Sequence, residues 1–587
     1  MTHETRRAAR EAAAARARAD HPAPRRRRRA IWITVAVSLV LILGAGVWLG
    51  FRALTVKDEL EQAQALLGSA GDDLSTADRI AELGTHAEAA AAAAGDPVWR
   101  LAEFVPFVGD NLRAVRLASE SLDVLANDLA QPVIAAMSQE GDGSPLSRVL
   151  PIIQSQAPVV TSLAADVQAV SGSSTLIGPV RSGVDQVDEV LQATAPTIAI
   201  LPSLLGMDGA RNYLLVFQNN AEASSLGGSA ASQTLITADQ GNISIAAQAS
   251  SANFTEGVPV DVPVDQSALE LYSSYLVDHV NTTTSRPDFP TAAKLLQAFW
   301  QRDIRPDQID GVISVDPIAL GRILKATGPI DVGGVELTDK NAVSILLKDV
   351  YEWWDPYASK ADAAASDAFF AAVASTVFEK VASGNFDLKD MAWAVSEGID
   401  RGDIMMWSED PAIAAVLDGQ RIAGVLPVSN TDASTVGVFF RDTSASKIDY
   451  YMDSAVALTA TCTDGTTTYT TQTTLHLDLT QQEADALPRY VKSAKAGASQ
   501  FRTEVFVYGP PGMTLTDASV EGAEASVMRT DVQDLGRPVA SFQVLLAPSE
   551  SGTVTATFTG PSDIADPAVV TTPMVRPTEV QITNSCG

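Results

Sequence analysis

The sequence predicts a multidomain α+β chain: a single transmembrane helix, an Ala-rich helical stalk or bundle, an α/β sandwich and a C-terminal antiparallel β-sandwich. Three observations carry this reading. No charged residue stands between Ala30 and Phe51. From Leu54 to about Leu205 apolar residues recur at helical spacing. Beyond that point strand-like and helix-like stretches alternate, until a period of two takes over after about Ser446. At 587 residues the chain is also too long for a single core.

Residues 1–29 form a basic tail, with ten arginines against Glu4, Glu11 and Asp20, a local charge of +7 in a chain whose net charge is −30. The remaining residues carry 31 basic and 68 acidic side chains, which excludes a general basic surface for nucleic acid. The tail abuts the uncharged run. At about 1.5 Å per residue, residues 30–51 are long enough to cross a hydrocarbon layer of roughly 30 Å. Arg25–Arg29 on the N-terminal side predict a cytoplasmic tail, a single-pass anchor in the cell membrane and the bulk of the chain outside. A cleaved secretory signal is the competing reading; the length of the apolar run and the lack of a small-x-small site after it count against that.

Residues 54–205 read as the helical bundle. Leu60, Ala63, Leu66 and Leu67 share one stripe, as do Leu112, Val115, Leu122, Leu125 and Leu129. Breaks are expected at Gly95-Asp96-Pro97, Gly141–Pro145 and Gly172–Ser174. Residues 206–430 read as the α/β domain. "YLLVFQ" and "GNISIAAQ" are two strands expected to pair, and "PTAAKLLQAFWQR" is an amphipathic helix. "DGVISV" is a buried strand that runs into a helix capped by Asp316, opened by Pro317 and ended by Gly328. Residues 446–587 read as an immunoglobulin-like β-sandwich: Val456, Leu458, Ala460 and Cys462 share one strand face, and Leu475, Leu477 and Leu479 alternate after the Asp464-Gly465 turn.

Cys462 and Cys586 are the only cysteines. An exterior location allows a disulfide between them; two free buried thiols are the alternative. The five histidines are scattered, so no Cys–His metal cluster is expected. Nucleophile-elbow, Walker, H-E-x-x-H and dinucleotide signatures are absent. Ser444–Lys447 matches S-x-x-K without its companion motifs and Arg401–Asp403 spells R-G-D; both read as chance. Asp310 and Asp316 are a candidate carboxylate pair, although Asp316 is already explained as a helix cap.

The richest stretch is "RNYLLVFQNNAEASSLGGS", Arg211 to Ser229. It reads as a strand ending in a polar loop, with Asn219, Asn220, Glu222, Gly227 and Gly228 as candidate ligand-binding residues. Arg286 and Asp288 stand just before a helix N-terminus, a place suited to anions; the bland alternative is a local ion pair.

This stretch, together with "RPDFPTAAKLLQAFW", "IDGVISVDPIALGRILKATGPI", "SKIDYYMDSAV" and "LPRYVKSAKAGASQFRTEVFVYGPPG", resembles the bacterial "domain of unknown function 4012" family of membrane-anchored exterior proteins. That family usually carries a basic residue between the Asn-Asn-Ala-Glu and Gly-Gly elements, where this chain has Ser224 and Ser225. The order of elements is more distantly similar to the LytR-CpsA-Psr phosphotransferases, which act on polyprenyl-pyrophosphate carriers. That resemblance implies magnesium and a catalytic set drawn from Arg211, Arg286, Asp288 and Asp310. The chain departs from it: no acidic residue stands two after Arg211, "AAQASSANF" has no Arg-Asp pair, and "YASKADAAASDAFF" offers only Lys360.

The reading that follows is a cell-envelope protein that assists exopolysaccharide or glycopolymer assembly by binding, without a cofactor. Its expected partners are the membrane and an envelope glycopolymer or lipid-linked saccharide, with no nucleic acid. The alternatives are a magnesium-dependent glycopolymer phosphotransferase and a structural spacer or docking protein.

Overall fold

The computed structural model describes residues 24–68, 76–139, 144–561 and 565–586. The basic tail expected over 1–29 therefore lies, up to residue 23, outside the described residues. Contacts divide the chain into two compact units, Met1–Ile134 with Ser155–Ala195, and Ala135–Gln154 with Pro196–Gly587.

The first unit is helical. It contains α1 (Pro24–Gly68), α2 (Thr76–Ala94), α3 (Pro97–Ala102) and α4 (Gly109–Asp123), and parts of α5 (Pro145–Ser171) and α6 (Gly178–Leu204). The apolar run Ala30–Phe51 lies within α1. Alanines allow α1 and α2 to approach closely: Ala90, Ala93 and Ala94 are buried with Val56, Trp99 and Leu112. Helix α2 runs back along α1, for His86 meets Glu59 at 2.6 Å and Asp96 meets Trp48 at 3.1 Å. Asp96 caps α3 through the Val98 N–H at 2.8 Å, and Pro97 stands at the first helical position.

The second unit is built on a five-stranded mixed sheet of β1 (Arg211–Ser224), β2 (Gly227–Asp239), β3 (Asn242–Ser250), β4 (Gly311–Val315) and β7 (Ile404–Ser408), in the order β3-β2-β1-β4-β7. The short ribbon β5 (Ile330–Val332) and β6 (Val335–Leu337) stands apart. Strand β1 pairs antiparallel with β2 and parallel with β4. The two strands expected to pair, "YLLVFQ" and "GNISIAAQ", are therefore separated by β2. Its "SQTLITAD" mixes Ser, Gln and Thr with few apolar residues, so it gave no clear alternation to read.

One face of this sheet packs against α7 (Phe289–Asp303), whose Leu295, Leu296, Phe299 and Trp300 are fully buried with Leu214, Val216 and Val312. Burying each of these large side chains contributes about 2–3 kcal/mol. The other face, through Tyr213 and Ile236, meets Phe378 of α9 (Lys360–Ala382), and α8 (Pro317–Thr327) joins α9 in a second cluster through Leu320 and Leu324. By length and composition α9 could also cross a membrane. A core helix meets the same criterion, and Phe369, Val373 and Val377 of α9 are buried with Leu320, Leu346 and Tyr351. As the sequence predicts, Asp316 caps α8 through the N–H groups of Ile318 and Ala319.

The remaining strands are β8 (Ser434–Asp442), β9 (Met452–Thr463), β10 (Thr466–Leu477), β11 (Phe501–Tyr508), β12 (Thr514–Gly522), β13 (Glu524–Asp534), β14 (Arg537–Leu546), β15 (Ser551–Pro561), β16 (Pro567–Thr571) and β17 (Glu579–Ser585). They form two five-stranded sheets, β12-β15-β10-β9-β17 and β13-β14-β11-β8-β16, that share one apolar core. The arrangement is not wholly antiparallel: β16 runs parallel to β8 and β17 parallel to β9, because the C-terminal segment comes back along both edges. A Cys462–Cys586 disulfide ties that segment down.

Candidate functional site

The polar loop expected over Asn219–Gly228 is instead mostly strand, broken only by the turn at Ser225-Leu226. Strand β1 continues to Ser224, and Asn219, Asn220, Ser224 and Ser225 are buried. The pairing jumps from Asn219↔Ser229 to Ala223↔Gly228, so Asn220–Glu222 bulge out of the ladder. The glycines serve this hairpin rather than a ligand. A Cβ on Gly228 would meet the Asn219 backbone at 2.2 Å, and the Gly228 N–H donates to Gln218 Oε1 at 2.7 Å. Gly227 has φ 125°, open to glycine alone without strain.

The bulge presents its side chains to different neighbours. Asn219 Nδ2 donates to the Tyr351 hydroxyl at 2.8 Å, and Asn220 Nδ2 donates to Asp316 Oδ2 at 2.8 Å and to the Pro573 carbonyl at 3.1 Å. Glu222 accepts from Ser229 Oγ and pairs with Lys447 Nζ. Lys447 lies 225 residues along the chain and supplies the positive charge that Ser224 and Ser225 do not. Its ammonium sits 4.7 Å from the ring centroid of Tyr351 and 4.8 Å from that of Tyr490, a partial aromatic cage closed by one carboxylate.

Electrostatics follow from this enclosure. Burial works against the Lys447 cation, but Glu222 and the two phenols outweigh it and hold the lysine above its ordinary range. Lys447 pulls Tyr490 down, yet burial and Glu222 leave that phenol pushed up to about 12. Burial, reinforced by the nearby Asp403 carboxylate, raises Asp316 well above the usual carboxylate range. The site thus holds a permanent cation, its own counter-ion, neutral phenols and a carboxyl biased toward its protonated form.

These groups border a cavity of about 500 Å³ between the sheet and the α8–α9 side. One wall is apolar, from Leu320, Leu346, Leu347, Phe370 and Val373; the other is amide- and hydroxyl-rich, from Gln218, Asn219, Ser232, Gln233, Gln248 and Asn253. Gln233 is 1% exposed, and neither its Nε2 nor its Oε1 has a hydrogen-bond partner. A buried primary amide left wholly unpaired costs a few kcal/mol unless something polar meets it.

The other sequence candidates lie elsewhere. Arg211 is at the opposite end of β1, paired with Asp310 at 3.4 Å and Asp410 at 3.0 Å. Asp310 also accepts the Asn212 N–H at 2.8 Å, so that pair secures the start of the strand. Arg286 is 2% exposed and meets Asp534 at 2.7 Å, Asp265 at 2.6 Å and Asp288 at 3.2 Å. None of Arg211, Arg286, Asp288 and Asp310 lines the cavity; Asn219 and Glu222 do, while Asn220, Gly227 and Gly228 do not. The S-x-x-K match is no dyad: Ser444 Oγ is engaged by the main chain of Arg502, while Lys447 turns to Glu222. Among the described residues no group of three His, Cys, Asp or Glu side chains is placed to hold a metal.

Sequence reading missed Tyr351, Tyr490 and Gln233, and singled out Lys447 only within the S-x-x-K match. The signal for Lys447 was present in "SKIDYYMDSAV", but nothing local names its partner. Compared with known families, residues 208–351 match the model described as "Protein of unknown function (DUF4012)". No curated protein matches the chain. The matched span holds β1–β4, α7, α8 and Tyr351, whereas Lys447 and Tyr490 come from beyond it.

Proposed function

We propose that this chain, which carries a DUF4012 domain, is a single-pass cell-envelope protein that binds a neutral, hydroxyl-rich ligand with an apolar portion. A saccharide unit of an envelope glycopolymer, free or lipid-linked, has that chemistry. The apolar run in α1 is the anchor, with the arginine-rich side in the cytoplasm and the chain beyond Phe51 outside.

The unpartnered Gln233 amide is the observation that carries the ligand class. Around it the lining offers amides, hydroxyls and aromatic faces, the groups that meet sugar hydroxyls and the C–H faces of a ring. The one lysine in the lining is already neutralised by Glu222, so a pyrophosphate would enter without a free counter-charge. This favours binding over phosphoryl transfer, whose arginines would have to be Arg211 and Arg286, both held by aspartates away from the cavity.

The test is calorimetric titration of the full chain in lipid nanodiscs, with neutral envelope oligosaccharides, their lipid-linked forms and a polyprenyl pyrophosphate analogue with and without magnesium. The expected result is binding of the neutral saccharides, unaffected by magnesium. Gln233→Leu should weaken it by about 1–3 kcal/mol, roughly 5- to 150-fold in Kd. Magnesium-dependent binding or turnover of the pyrophosphate, with no response to neutral sugars, would overturn the reading.

A further inference from the structure

The lower end of the helical unit carries an exposed apolar knuckle. After α2 descends along α1, the chain turns through α3 and residues 103–108 and climbs again in α4. Leu101, Phe104, Val105, Phe107 and Val108 in that turn are all exposed, Phe104 and Phe107 each by 86%. Phe107 has φ 68°, a strained conformation for an aromatic residue. Gly109 makes the turn tight, since a Cβ there would meet the Glu103 carbonyl at 1.9 Å. The neighbouring turn between α5 and α6 joins the same end: Asn111 bonds the Thr175 carbonyl at 3.1 Å and the Ile177 N–H at 2.9 Å, and Ile177 is also exposed.

The height of this knuckle along α1 is fixed by contacts. Asp96, which opens α3, receives Trp48 Nε1 at 3.1 Å and Arg52 Nη2 at 3.4 Å, and Leu49 packs on the cluster containing Trp99. Trp48 and Arg52 straddle the end of the uncharged run, where a membrane helix leaves the hydrocarbon and where Trp and Arg anchor at the interface. Glu103, the carboxylate beside Phe104, is neutralised by Arg116 at 2.6 Å, while Arg100 and Arg113 stay exposed. A contiguous apolar patch this exposed needs a cover.

We infer that the Leu101–Val108 knuckle, with Ile177 beside it, inserts into the outer-leaflet interface of the bilayer and seats the helical unit against the membrane. Phe104 and Phe107 reach the acyl boundary, and Arg100 and Arg113 meet lipid phosphates. The inference rests on the anchor reading of α1 given above. It makes that unit a two-point attachment, a spanning helix plus a wedge, instead of a freely swinging stalk.

The experiment uses the full chain in vesicles of phosphatidylcholine and phosphatidylglycerol. Cys462 and Cys586 are bonded to each other, so an introduced cysteine is the labelling site. Environment-sensitive fluorophores are placed by Phe104→Cys, by Val40→Cys inside the apolar run, and by Glu61→Cys, nine residues above Arg52 on α1. At Phe104 we expect a blue-shifted emission, quenched several-fold more by spin labels about 5–10 Å below the headgroups than at Glu61, and shielded from iodide. Lipid quenching at Val40 with free iodide access at Phe104 overturns the wedge while the anchor stands. No lipid quenching at Val40 overturns the anchor reading, and the wedge with it. Iodide shielding at Phe104 without lipid quenching means that a protein surface covers the knuckle, and the bilayer assignment falls.

Discussion

Two buried cations in the second unit resemble each other at first sight, yet their surroundings differ. Arg286 is enclosed by Asp534, Asp265 and Asp288, and the Tyr508 hydroxyl, itself bonded to Tyr272, donates to the same Asp534 at 2.9 Å. Each nitrogen of that guanidinium meets a carboxylate, and Arg286 does not line the large cavity. Lys447 has one carboxylate and two ring faces, and its shell opens onto about 500 Å³. A cation saturated by carboxylates is a joint between elements far apart in sequence. A cation packed under aromatic faces leaves polar edges to meet something else.

Removing the joint should have the largest effect. Arg286→Ala leaves Asp534 buried and uncompensated, and we expect a loss of about 3–5 kcal/mol in urea unfolding of the full chain in detergent. Arg286→Lys should recover only part, because one ammonium cannot satisfy Asp534 and Asp265 in a fork. If Arg286→Ala unfolds like the parent, the two cations are not different in kind.

Lys447→Met should cost less, about 1–3 kcal/mol, because its partner Glu222 keeps some access to solvent. Adding Glu222→Gln should restore much of that loss, giving a coupling of about 1 kcal/mol or more in a double-mutant cycle. Saccharide affinity should fall in Lys447→Met even where stability is restored. Unchanged affinity would detach the cage from the ligand site.

A smaller effect should appear with pH. Burial pushes Asp442, which accepts the Ser444 and Ser446 N–H groups, up to about 6 from its ordinary value of 3.8. Between those values the folded state holds a proton that the unfolded state has released, so this residue's contribution to stability declines as pH rises through the window and levels off above it. Asp442→Asn should flatten that segment of a stability-against-pH curve.

The comparison also explains what could be read from sequence. Helix breaks at Gly95-Asp96-Pro97 and the Asp316 cap are local, set by residues within one turn, and were legible. Strand β2 was hidden because Ser, Gln and Thr alternate there as they do in loops, and missing it turned a buried hairpin into an apparent loop at Asn219–Gly228. Neither cation could be understood locally. Arg286 finds Asp534 at a separation of 248 residues and Lys447 finds Glu222 at 225. Arg286 and Asp288 stand beside a helix start and Lys447 within an S-x-x-K match, and neither context states what the side chain does.

Asn220 carries a consequence for the order in which the molecule can be completed. Its amide donates to the carbonyl of Pro573, 353 residues further on, and the neighbouring Ser225 carbonyl receives the Thr572 hydroxyl. A ribosome delivers the hairpin long before Thr572 and Pro573 exist, so the Ser225 carbonyl lacks its donor, and the Asn220 amide lacks one of its two acceptors, until that later segment arrives. That segment works as a latch: the polar groups of the hairpin reach their full set of partners only when Thr572 and Pro573 are in place.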